Sequence, residues 1–149
     1  MSMVTRSKIK RVHLKINEDL ESFFLGIVSA EPDYKVSLTL NRHLNITLRN
    51  VTPVIINDES GKKSAFSRFS DTSTSPHLIY DLISNRSEKK FLFKKLKNID
   101  YIFQIYNPQN EIDIEHIVSI LRDTEFISAV FNLDPDLMKD KNLNHLLIH

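Results

Sequence analysis

The sequence predicts a single α+β domain, a mainly antiparallel sheet with helices on one face. Two blocks carry the same strand–helix–strand order, residues 23–56 and residues 101–133. Short strand candidates at 46–56, 65–69 and 78–84 are separated by polar or Ser/Thr-rich connections. A length of 149 residues, 41% hydrophobic and 26% charged, suits one soluble core.

Residues 1–7 are expected to be a disordered tail and 8–149 the domain. Ile9, Val12, Leu14 and Ile16, largely separated by polar residues, predict a first strand. Phe23 to Ala30 is a continuous apolar run, as expected of a strand covered on both faces. Glu31-Pro32-Asp33 opens a helix to about Leu44, with Tyr34, Leu38, Leu40 and Leu44 as its apolar positions and Tyr34 expected in the core. Ile46 to Ile56 alternates as a strand, and Pro53 favours an edge position for it. Ala65 to Phe69 and Leu78 to Ser84 are the next strands. Tyr101 to Tyr106, aromatic and branched throughout, is the clearest one. Ile114, Ile117, Val118 and Leu121 have helical spacing, with acids at Glu111, Asp113 and Glu115 near the end where the helix dipole favours them. Phe126 to Leu133 is a final strand, and Asp134-Pro135-Asp136 starts a short helix. Two strand–helix–strand units of this kind make a ferredoxin-like or ACT-like arrangement the nearest named shape, with the hairpin around 65–84 as an addition.

Composition excludes several functions. Formal net charge is +1, so no global field draws the chain to nucleic acid or membrane. Cysteine is absent, which removes disulfides, thiolate metal sites and cysteine nucleophiles together. No apolar run approaches the roughly 20 residues that span a bilayer. The polar, basic stretch Met1 to Arg11 has no apolar region of the secretory type, so the expected location is cytoplasmic. There are two glycines, Gly26 and Gly61, too few for a dinucleotide fingerprint and too far apart for a Walker loop. Gly26 lies within a strand, where glycine marks a bulge or close packing. Gly61 lies in a surface turn.

The sharpest local feature is the cluster Lys89, Lys90, Lys94, Lys95 and Lys97, with no acid between residues 89 and 97. It could grip RNA phosphates, with Phe91 and Phe93 stacking on bases. The plainer alternative is a solvated loop whose phenylalanines fill the core. Arg6, Lys8, Lys10, Arg11 and Lys15 would extend the patch if the fold brings them near. Residues 111–140 are acidic instead, a charge asymmetry that suits head-to-tail association. Asp100-Tyr101 sets a carboxylate beside a phenol, but neighbours on a strand face opposite ways. The favoured reading has Asp100 capping a turn and Tyr101 packing inward. Ser84-Asn85 reads as a strand end with turn chemistry. The six histidines are scattered, and His145 with His149 lacks a third ligand nearby. No serine has the glycines of a nucleophile elbow.

The order Phe24-Leu25-Gly26-Ile27, Asp33-Tyr34 and Asn41, Leu82-Ile83-Ser84-Asn85, then Ile99-Asp100-Tyr101 and Ala129-Val130-Phe131-Asn132-Leu133-Asp134 resembles the bacterial family named IPExxxVDY after its motif. The resemblance runs from about Val12 to Lys141. Val-Asp-Tyr falls on Ile99-Asp100-Tyr101, whereas Ile-Pro-Glu falls on Phe93-Lys94-Lys95, so its proline and glutamate are missing. Any chemistry of that glutamate is closed to this chain. The resemblance implies a small cytoplasmic protein and supplies no catalytic residue.

These readings together predict a non-enzymatic interaction or adaptor protein without a cofactor or metal. Its expected partner is a protein, with self-association as a homodimer paired through the strand around Ile46 to Ile56, which carries few charges. An RNA-associated accessory protein using the lysine patch is the second expectation. An ACT-like regulatory domain binding a small metabolite between subunits is the third.

Overall fold

A computed structural model describes residues 22–134. The tail at 1–7, the strand expected at 9–16, the amino-terminal bases and the helix from Asp134-Pro135-Asp136 fall wholly or mostly outside the described residues, as do His145 and His149. The elements in order are β1 (Ser22–Val28), α1 (Asp33–Leu44), β2 (Arg49–Asn57), β3 (Lys63–Asp71), β4 (Ile79–Ser84), β5 (Arg86–Ser87), β6 (Lys90–Phe91), a 3-10 turn (Lys94–Leu96), β7 (Tyr101–Tyr106), α2 (Ile114–Arg122) and β8 (Ala129–Leu133). Six strands form one sheet in the order β2-β3-β4-β7-β1-β8, and every neighbouring pair is antiparallel. β5 and β6 form a separate small hairpin. The chain is α+β, as the sequence predicts.

Both helices cover one face of the sheet. Val36 and Leu40 of α1 and Ile117, Val118 and Leu121 of α2 bury against Leu25, Ile27, Leu82, Phe103 and Ile105. Each such side chain contributes about 1.5–3 kcal/mol of transfer free energy. Tyr80 and Phe103 stack within this core at 5.9 Å between ring centroids. α2 is capped by Asp113, whose side chain accepts the Glu115 N–H. α1 ends at Asn45, which takes the left-handed conformation that asparagine tolerates.

The phase of α1 corrects one expectation. Tyr34 is 59% exposed, not buried, and so is Leu38 at 58%. The inward face carries Val36, Ser37, Thr39 and Leu40. Its two hydroxyls can be buried because they bond within the helix, Ser37 Oγ to the Tyr34 carbonyl and Thr39 Oγ1 to the Lys35 carbonyl, both at 2.8 Å. Of the four apolar positions expected in this helix, Leu40 is buried and Leu44 packs partly against the core, while Tyr34 and Leu38 face out.

The opposite face of the sheet has a second core of Phe24, Val54, Phe66, Ile83 and Ile102, covered by Leu92, Phe93 and Ile99. The cover is the excursion between β4 and β7. β2 is an edge strand, as Pro53 predicts, and its register with β3 shifts between Val51 and Val54, around that proline.

Gly26 is where the excursion meets the sheet most closely. A Cβ there would lie 2.8 Å from Ile99 Cδ1 and 3.2 Å from Leu133 Cδ2. Close packing thus accounts for this glycine. Gly26→Ala is expected to destabilise by about 1–3 kcal/mol through overpacking. Ile99→Val removes the nearest atom, so the double variant should recover part of that loss. Additive losses in urea titrations of the two single variants and the double variant would show that the contact is not the cause.

Candidate functional site

The lysine cluster rides on the excursion, and Asn85 fixes its shape. This side chain is fully buried. Its Nδ2 donates to the carbonyls of Leu96 (2.8 Å) and Ile99 (3.0 Å), and its Oδ1 accepts the Phe93 N–H at 2.8 Å. Its backbone joins the same segment, donating to the Asp100 carbonyl and accepting the Leu92 N–H. Asparagine supplies two donors and an acceptor in one short side chain, which this double-ended clasp needs. The reading of Ser84-Asn85 as a strand end with turn chemistry is correct, with a clasp added that reaches 14 residues along the chain.

With the clasp closed, Lys89, Lys94, Lys95 and Lys97 are exposed. None of these four makes an ion pair among the described residues. Lys90 differs. Its ammonium lies 2.7 Å from Asp58 Oδ2 and ties the hairpin to the β2–β3 turn. That hydrogen bond, with further ones from Ser60 and Lys62, holds the Asp58 carboxyl well below the usual range. The aromatics expected to stack on bases are otherwise engaged. Phe93 is 1% exposed in the second core, and Phe91 is half-buried with the Arg86 guanidinium 5.1 Å from its ring centroid.

Beside the basic turn lies an open cleft of about 510 Å³, lined in part by Ser29, Glu31, Ser84, Arg86, Asp100 and Tyr101. Asp100 sits at the crossing of three segments. Its Oδ2 accepts the Ser29 N–H at 2.9 Å, and its Oδ1 lies 2.8 Å from Arg86 Nε. Arg86 Nη2 also donates to the Lys97 carbonyl at 3.1 Å, so the cleft wall and the basic turn share one guanidinium. Tyr101 packs inward and its hydroxyl donates to the Glu31 carbonyl at 2.6 Å. Burial, helped by the charges of Asp33, Asp100 and Glu31, pushes this phenol up to about 12. The Ser29 hydroxyl donates to the Phe126 carbonyl at 2.6 Å. Each of these groups holds backbone in place, so the carboxylate beside a phenol is a brace. Tyr101 packs inward as expected, whereas the Asp100 carboxylate, expected to cap its turn, instead holds the distant Ser29 N–H and Arg86.

The sequence signals missed two things. Arg86, which joins cleft and turn, carries no motif; its only clue is its place beside Ser84-Asn85. Phe126, which the sequence predicts as the start of a strand, precedes β8, is 41% exposed and has φ 75°, an unusual conformation for a bulky residue. Among the described residues no three His, Asp or Glu side chains gather as a metal site, and no helix is long and apolar enough to cross a membrane. No protein-family model matches the chain, and no curated protein does.

Proposed function

We propose that this chain is a non-enzymatic interaction protein that grips an acidic surface of a protein partner with the turn at 89–97. The observation that carries this reading is the clasped excursion. Four lysines stand exposed on a segment fixed by a buried asparagine, without an intramolecular ion pair among the described residues. Ordering charges before contact lowers the entropy lost on binding. Such a patch also raises association rates with an oppositely charged surface.

The same lysines support RNA as a second reading, through phosphate contacts alone. Without Phe91 and Phe93 as platforms it lacks the stacking that single-stranded binders use, and it ranks behind a protein. The open cleft supports a third reading, a small-molecule regulatory domain. We read the fold as ferredoxin-like with an insertion. Setting the β3–β4 hairpin aside leaves the order β8-β1-β7-β2, with each helix linking two strands that are not neighbours. The resemblance to the IPExxxVDY family and a cytoplasmic location belong to the same proposal, the latter resting on the cysteine-free composition.

Capture from an extract of the native cell tests the reading, with wild type and the variant Lys94→Glu/Lys95→Glu/Lys97→Glu compared at low and high salt. The variant is expected to fold with nearly unchanged stability, since exposed charges alter it little. It should lose a protein that wild type retains at low salt. Equal capture by the two chains would remove the turn as the contact surface. A mobility shift with total RNA at low salt, absent in the variant, would replace the protein partner by RNA.

A further inference from the structure

The helical side of the molecule carries a second unusual surface. Tyr34 and Leu38 stand one turn apart on the outward side of α1, both more than half exposed. On the adjoining flank the Lys35 ammonium lies 4.1 Å from the centroid of the Phe126 ring. Phe126 holds its left-handed backbone with its carbonyl accepting the Ser29 hydroxyl. Strain of this kind persists only where the surroundings enforce it, and here it presents an aromatic ring to solvent. Acids border the ring and the ridge. Asp33 and Glu31 lie at the start of α1, and Asp123 and Glu125 lie just past the end of α2. The latter two stand where a helix dipole disfavours negative charge. Of these four acids only Glu31 makes an ion pair among the described residues, with Lys35 at 3.4 Å. An apolar centre with a charged rim is how protein interfaces are built.

We propose that this surface receives the basic turn of a second copy of the chain, head to tail. The inference rests on the reading of 89–97 as a contact surface and names its partner. Charge complementarity selects the occupant. The turn offers Lys89, Lys94, Lys95 and Lys97 around Leu96, an apolar side chain left partly exposed. The patch offers acids around Tyr34, Leu38 and Phe126. The two surfaces lie on opposite faces of the sheet, since the turn covers the second core and α1 the first. The cleft that holds Glu31 and Arg86 lies between them, but no ion pair joins the acids of the patch to Lys89, Lys94, Lys95 or Lys97 among the described residues. The contact joins two different surfaces, so it is heterologous and grows an open row of copies unless a rotation closes it. Pairing through the edge of β2 would instead be isologous and would stop at two. Pro53 and the register shift interrupt that edge.

Light scattering of the full chain over a concentration series at low and high salt tests this. At low salt the mass should climb with concentration past that of a dimer and fall back to a monomer at high salt, because screening shortens the reach of the charges. Lys94→Glu/Lys95→Glu/Lys97→Glu should be monomeric throughout, and so should Asp33→Lys/Asp123→Lys/Glu125→Lys. Mixing the two variants should restore large assemblies, as should both sets in one chain, which also shows that neither set has unfolded the protein. A wild-type monomer under all conditions overturns the inference. If that monomer still captures another protein through its lysines, the basic-turn reading stands; if it captures nothing, both fall. A dimer insensitive to salt and to both charge reversals overturns the inference in favour of the β2 edge.

Discussion

Asn85→Ala should cost about 4 kcal/mol or more and free residues 92–99 from the sheet. The side chain serves the Phe93 N–H and the Leu96 and Ile99 carbonyls. A buried polar group left without a partner costs about 1–3 kcal/mol, and the truncation strands up to three. A domain of this size has about 5–15 kcal/mol of stability in total, so the variant stands near its unfolding threshold. The loss should spread, because Leu92, Phe93 and Ile99 cover Phe66 and Ile83 only while the clasp holds. Asn85→Asp is the sharper control. It keeps the size and the acceptor but loses both donors, and it sets a buried carboxylate against two carbonyls. It should be at least as damaging. Urea denaturation of the three proteins decides the matter, and an Ala variant within about 0.5 kcal/mol of wild type would mean that the clasp is unimportant.

Tyr101→Ala is expected to destabilise by about 3–5 kcal/mol, in the range of large aromatic truncations, while Tyr101→Phe should cost only about 1 kcal/mol for its hydrogen bond. The ring lies in the helical core and the hydroxyl binds the Glu31 carbonyl. The phenol also sets an alkaline limit. Burial first, then nearby acids, raises it to about 12 in the folded chain. The ordinary value is about 10, so the folded state holds the proton more tightly. That share of stability is complete below about pH 10 and is lost as pH climbs from there toward the folded value. Tyr80, raised by burial and then by Asp71 and Glu111, adds to the same limb. Urea midpoints at about pH 8 and about pH 11 should therefore differ less in Tyr101→Phe than in wild type. An equal drop would assign the alkaline loss elsewhere.

The elements legible in the sequence are those whose own chemistry marks them. Tyr101 to Tyr106 needs nothing but its aromatic and branched run, and Pro53 announces an edge. The acids Glu111, Asp113 and Glu115 beside the helical spacing of Ile114, Ile117 and Val118 mark a helix start, and only the structure makes Asp113 its cap. The two repeated units show through because each is local. Other features depend on partners far along the chain. Ser37 and Thr39 look like surface residues until their hydroxyls turn onto the helix carbonyls. The excursion at 85–99 reads as a loop because its apolar residues follow no period, and only Asn85 and the second core give it a shape. Of the candidate site, the exposed lysines could be read from composition. Lys90 needed Asp58, Arg86 needed Asp100, and Phe91 needed Arg86, and no spacing in the sequence discloses such pairs.

The place of β1 governs how the chain must be made. This strand leaves the ribosome well before its two neighbours, β7 and β8. Phe23 waits for Ile105, about 80 residues later, which at about 5–20 residues per second leaves Phe23-Phe24-Leu25-Gly26-Ile27-Val28 unpaired for several seconds. The β2-β3-β4 meander can form meanwhile from local contacts, but it offers β1 no edge, since β7 must come between β4 and β1. An apolar run kept waiting in this way invites chaperones during synthesis. Chains truncated before β7 should therefore aggregate even though the β2-β3-β4 meander already has its native pairs.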